Sequence, residues 1–105
     1  MVTPEDARDI ALSLENTGEK QHFHRTAFTV NKKIFATLLP SDSTLNLMFD
    51  IQTQFIFCPP ESDVIYPVPN KWGLKGATTI NLKKANKKLV KSALKEAYVL
   101  RKSKS

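Results

Sequence analysis

Cysteine occurs once in this sequence, tryptophan once and glycine three times. A single cysteine excludes an internal disulfide and fits a reducing compartment. No stretch approaches the roughly 18 consecutive apolar residues of a membrane span. The opening residues Met1-Val2-Thr3-Pro4-Glu5-Asp6 are acidic and polar, unlike the basic start of a secretory signal peptide. Paired carboxylates, a Ser/His/Asp set and a phosphate-binding glycine loop are also missing, so no catalytic residue, cofactor or metal is expected. The expectation is a cytoplasmic, non-enzymatic protein, a monomer with no membrane partner.

What is present is enough for one core. The 105 residues are 41% apolar and include nine aromatics, which predicts a single domain over residues 1–105. The charge is divided unevenly along the chain. Residues 1–82 hold seven Lys/Arg and nine Asp/Glu, a net −2, while residues 83–105 hold nine Lys/Arg and one acid, Glu96, a net +8. An excess confined to one end points to an anionic partner: nucleic acid, an acidic protein or a lipid surface. The bland alternative is a solvated helix face that serves solubility alone.

Thr3-Pro4-Glu5-Asp6 reads as a helix start. Thr3 suits an N-cap, Pro4 the first helical position, and the acids complement the helix dipole. Ala7, Ile10, Ala11 and Leu14 give that helix an apolar stripe, and Asn16-Thr17-Gly18 ends it. From Phe23 the pattern alternates. Phe28 and Val30, a turn at Asn31-Lys32-Lys33, and Ile34 to Leu38 predict a hairpin. Thr44 to Phe49 reads as a third strand, and Asp50 as the cap of a short helix running through Phe55. Cys58-Pro59-Pro60 requires a loop. Val64 to Pro69 is extended because residues before proline avoid the helical region. Lys71 to Gly76 reads as a turn and Ala77 to Leu82 as the last strand.

The remainder predicts a helix from Lys84 to Arg101. At about 100° per residue with Ala85 at zero, Leu89, Val90, Ala93, Ala97 and Leu100 fall between about 40° and 140°. Lys84, Lys87, Lys88, Lys91, Lys95 and Lys102 fall opposite, between about 200° and 300°. Packing the apolar side therefore displays six lysines together. Like charges at this spacing repel by a few tenths of a kcal/mol each, so a merely solvated face more often mixes signs.

Several phrases resemble proteins of the MmcQ/YjbR-like family. They are Ala11-Leu12-Ser13-Leu14, His22-Phe23, Ala27 to Leu38, and Tyr66-Pro67-Val68-Pro69-Asn70-Lys71-Trp72-Gly73 followed by Gly76 and Thr78. The resemblance covers nearly the whole chain. It implies an α+β fold, an antiparallel sheet packed against N- and C-terminal helices and similar to the frataxin/CyaY fold, and a DNA-binding role that the family carries largely by fold analogy. Ala77 stands where members often carry a tryptophan, and the basic final helix is more pronounced here than is usual in the family.

Other residues admit competing readings. Gly73-Leu74-Lys75-Gly76 has the spacing of an RNA-clamping GxxG loop, but it leads into a strand, which favours a tight turn. Trp72, flanked by Lys71 and Lys75, suits stacking on a base or packing over the core. His22, His24 and Cys58 fall short of a convincing zinc set, and Cys58 is expected to be a buried small hydrophobe. Glu5, Asp6 and Asp9 offer carboxylates for iron, yet helix-start electrostatics explain them. The reading preferred from sequence is weak, largely sequence-independent DNA binding by Lys84, Lys87, Lys88, Lys91, Lys95 and Lys102, extended by Lys71, Lys75 and Trp72. A module docking an acidic protein, and a small-molecule pocket near Tyr66, Asn70 and Trp72, are the alternatives.

Overall fold

The first helix is fastened by its own opening residues. In the computed structural model, which describes residues 1–103, the Thr3 hydroxyl accepts from the Asp6 N–H at 3.0 Å. The Asp6 carboxylate accepts in return from the Thr3 N–H at 3.2 Å. This capping box starts helix α1 (Pro4–Leu12). The helix ends sooner than its apolar stripe suggests. The Ser13 hydroxyl donates to the Ile10 carbonyl and Asn16 takes a positive φ of 62°, so Leu14 packs against the core from outside the helix.

The chain then builds strands β1 (Thr17–His22), β2 (Arg25–Val30), β3 (Lys33–Leu39) and β4 (Thr44–Leu47). Helix α2 (Ile51–Phe57) follows, then strand β5 (Ile65–Pro67), a single 3-10 turn (Gly73–Lys75), strand β6 (Thr78–Asn81) and helix α3 (Lys87–Ser103). The six strands form one antiparallel sheet in the order β1-β2-β3-β4-β6-β5. The expected α+β architecture, an antiparallel sheet with N- and C-terminal helices, is what the chain adopts. No helix among the described residues is long and apolar enough to cross a membrane.

Strand β1 is the element that sequence periodicity missed. Its six residues, Thr-Gly-Glu-Lys-Gln-His, contain no large apolar side chain, and the four from Glu19 to His22 are exposed. It is an edge strand held by its ladder to β2 and by Arg8 of α1, whose Nε donates to Glu19 Oε2 at 2.9 Å. That hydrogen bond also keeps the Glu19 carboxyl below its ordinary pKa. Between β2 and β3, Asn31 and Lys32 both have positive φ, 51° and 68°, the geometry of a two-residue type I′ hairpin.

Register decides which side chains share a face. Phe28, Ala36, Leu47 and Thr78 stand opposite one another across β2, β3, β4 and β6, and Leu38, Leu45, Ile80 and Ile65 do so one row on. All are buried, because α1 and α3 lie on this side. An irregularity between β2 and β3 adds Phe35 to the same side, where its ring meets Tyr98 of α3 edge-on at 5.7 Å. From α3 itself Val90, Ala93, Leu94, Ala97 and Tyr98 are buried. Tyr98 donates its hydroxyl proton to the Glu15 carbonyl at 2.6 Å, tying α3 to the segment after α1.

Helix α3 begins three residues later than periodicity suggests. The Asn86 side chain accepts from the Leu89 N–H at 2.8 Å as the true cap, and Lys84 sits in a turn whose N–H bonds the Asn81 carbonyl. Elsewhere the Asp50 carboxylate accepts from the Thr53 N–H at 2.8 Å, so α2 is capped as expected and runs two residues past Phe55.

The capping box makes two predictions. Thr3→Ala is expected to lower stability by about 1 kcal/mol in thermal or denaturant unfolding near neutral pH. The Asp6 carboxyl is held below its ordinary value of 3.8, first by the Thr3 backbone N–H and then by the Thr3 hydroxyl, with Lys87 adding a favourable charge. A depressed carboxyl stabilises above its unfolded value and loses that contribution as pH falls through its folded value. Wild type is therefore expected to exceed Asp6→Asn in stability at neutral pH, with the gap closing below pH 3.8.

Candidate functional site

The lysines of α3 are exposed where periodicity places them. Lys87, Lys88, Lys91, Lys95 and Lys102 are all exposed, but the buried side is turned toward them, since Leu94 and Tyr98, on the stripe of Lys87 and Lys91, are buried. Two qualifications reduce the row. Lys84, outside the helix, forms an ion pair with Asp63, and it is the salt bridge that holds the Asp63 carboxyl below its ordinary pKa. Lys102 folds back over the Tyr98 ring, its ammonium 5.5 Å from the centroid. Among the described residues no carboxylate lies within ion-pair distance of Lys88, Lys91 or Lys95.

The second cluster forms around the 3-10 turn. Trp72 is 58% exposed, so its ring does not serve as a core lid, and Lys75 Nζ stands 5.3 Å from the ring centroid. The Asn70 side chain accepts from the Trp72 N–H at 2.8 Å, and the Trp72 carbonyl accepts from the Lys75 and Ala77 N–H groups. Both glycines are needed here. A Cβ at Gly73 would collide with the Val68 carbonyl, and Gly76 has a φ of +118° with the Phe49 carbonyl where a Cβ would sit. This is a structural turn, not a backbone clamp between helices. Trp72 and Lys75 line one concavity with Leu100 and Arg101, so the turn abuts the last turns of α3. Lys71 is exposed one residue earlier.

Gln54 of α2 is a residue that sequence reasoning missed. Its amide donates to the Gly73 carbonyl at 2.8 Å and to the Ala77 carbonyl at 3.0 Å, bracketing the Trp72 turn. A glutamine in a short helix carries no signal of this role, because both acceptors lie far along the chain.

The other missed feature is the sheet face that neither α1 nor α3 covers. Register puts Lys20, Ala27, Thr37, Asn46, Thr79 and Tyr66 in one row across all six strands, with His22 and Arg25 paired one row on. A groove of about 850 Å³ opens on this face. Its described lining includes Lys20, Arg25, Lys32, Lys33 and Arg101, together with His22, and no Asp or Glu. Arg101 is anchored there, its Nε donating to the Ile34 carbonyl at 2.9 Å. The Nη1 nitrogen of Arg25 is buried and has no acceptor among the described residues. Asn70 and Trp72 close the groove at the far end.

The remaining candidates separate. Among the described residues no three His, Cys, Asp or Glu side chains gather as a metal site. His22 belongs to β1 at one edge of the sheet, while Cys58 follows α2 beside β5 at the other, roughly 24 Å away across five strand spacings. Cys58 is half-buried, and burial pushes its thiol pKa up. Tyr66 shares a different concavity with Cys58 and Pro59, so the three residues of the suggested small-molecule pocket do not meet. Asp6 is engaged in the capping box of α1. Comparison of the chain with family models, with curated proteins and with solved structures gives no match.

Replacing Gln54 by Leu leaves two turn carbonyls without their side-chain donor. A loss of about 2 kcal/mol is expected in denaturant unfolding. Faster decay of Trp72 fluorescence anisotropy is expected to accompany it, since the sequence has one tryptophan and its emission reports this turn alone.

Proposed function

We propose that this chain is a non-enzymatic nucleic-acid-binding protein of the MmcQ/YjbR-like kind, holding DNA phosphates weakly and with little sequence preference along α3. The observation that carries the reading is the exposed row Lys87, Lys88, Lys91 and Lys95, which borders the buried side of the helix. These residues span about 12 Å of helix axis, short enough for neighbouring phosphates to be met together. Lys75 and Trp72 adjoin the C-terminal end of the row through their shared concavity with Leu100 and Arg101. The excess of one charge sign favours a polyanion, because phosphate contacts gain from counterion release whatever the base sequence. An antiparallel sheet with both terminal helices on one face supports the reading to the extent that the resemblance implies such an architecture.

Four phosphate contacts correspond to a log–log salt slope of about −3.5 on duplex DNA. Fluorescence-anisotropy titration of a labelled duplex across a salt series measures it. The variant with Lys87, Lys88, Lys91 and Lys95 changed to Gln is expected to lose most of the slope and the binding. A flat salt dependence in the wild type, or unchanged binding in the variant, would falsify this role for α3.

A further inference from the structure

We infer that the uncovered face of the sheet is a second binding site, a cradle for single-stranded nucleic acid that adjoins the α3 surface only at Trp72 and Arg101. It does not rest on the reading of α3. The sorting of charge comes first. Residues 1–82 are net negative, at −2, yet four of their seven Lys/Arg line this one groove and none of their nine acids does. The acids are placed elsewhere. Glu19 is turned to the opposite face and paired with Arg8, and Asp63 pairs with Lys84. Clustering one sign of charge in a concavity focuses its field on an incoming anion.

The second observation is Arg25. Guanidinium nitrogens are donors only, and a buried donor of a charged group without an acceptor is costly. Arg25 lines the groove, and a small shift of its guanidinium toward a bound phosphate oxygen gives Nη1 an acceptor in a charge-assisted hydrogen bond. The third is the spread of the groups. Cations stand on β1, on β2, in the β2–β3 turn and the first residue of β3, and at the end of α3 beside Ile34 of β3, and the strand spacing makes β1 to β3 about 10 Å. A single compact phosphate meets only part of such a set, whereas a flexible backbone meets it in sequence. Aromatic rings mark both ends. Trp72 is 58% exposed at one, and at the other Phe23 is 86% exposed and packs edge-on to His22 at 4.9 Å.

That combination distinguishes a single strand from a duplex. Unpaired bases are free to stack on exposed rings, and stacking tolerates any base. In a duplex the bases are already stacked, and a stiff rod does not follow a concavity bounded by two turns.

The test uses the lone tryptophan as reporter and unlabelled oligo(dT) of about 12 nucleotides as probe. Titration is expected to quench Trp72 emission, and added salt to reverse the quench. Lys20→Gln and Arg25→Gln are each expected to weaken binding severalfold and to reduce the log–log salt slope by about 0.7, the single-strand value per phosphate. Trp72→Leu, followed with a labelled strand, is expected to weaken binding about tenfold. The α3 quadruple variant is expected to keep the quench. Lys20 is an exposed edge-strand residue, so its substitution carries the test even if Arg25→Gln fails to fold. Absence of quenching, wild-type affinity and slope in Lys20→Gln, or equal quenching of the α3 quadruple variant by a duplex of the same length overturns the proposal. Loss of duplex binding by α3 with the quench intact touches only the earlier reading.

Discussion

The side of α3 that carries Val90, Ala93, Leu94, Ala97 and Tyr98 lies against Phe35 and the neighbouring strands, and this contact orients the rest of the molecule. Once that side is buried, the lysines of the helix have nowhere to point except outward. The same packing commits both terminal helices to one face of the sheet and leaves the other without a helical cover. Fully burying a Val or Leu side chain contributes roughly 1.5–3 kcal/mol. Repulsion between neighbouring lysines costs only a few tenths of a kcal/mol per pair. Burial therefore decides the arrangement, and the crowding of like charges is tolerated as its consequence.

Much of this was legible beforehand because it depends on short-range pattern. The cap at Thr3, the cap at Asp50, the hairpin turn at Asn31-Lys32 and the Val90, Ala93 and Ala97 part of the buried side of α3, though not its Leu94 and Tyr98, all follow from residues within a turn or two of one another. The start of α3 was misplaced because Lys84 and Ala85, the two residues before Asn86, have the composition of a helix but not its hydrogen bonds. β1 escaped notice for a different reason. Alternation signals a strand with one apolar face, and β1 spends its two faces on Glu19 and Gln21, and on Lys20 and His22.

The groove was invisible for a compound reason. Its cations come from a strand that could not be read, from the next strand and its turn, and from the far end of the last helix. Summed along the chain, most of them disappear into a net negative segment. Only register, which fixes the parity of each position across the sheet, separates Lys20 from Glu19 and gathers it with Arg25. Linear charge statistics located the lysine helix and hid the second basic surface.

The two outer strands of the sheet have a consequence for self-association. A sheet edge exposes unpaired backbone donors and acceptors, a template on which another copy can add a strand. Here β1 presents the polar run Thr17–His22 with Lys20 at its middle, which makes docking of a like strand electrostatically poor. At the opposite edge β5 is three residues long and ends in Pro67, which has no N–H to offer. One edge is blunted by charge and the other by brevity and proline. The wide sheet is thereby able to leave a whole face open without inviting edge-to-edge growth.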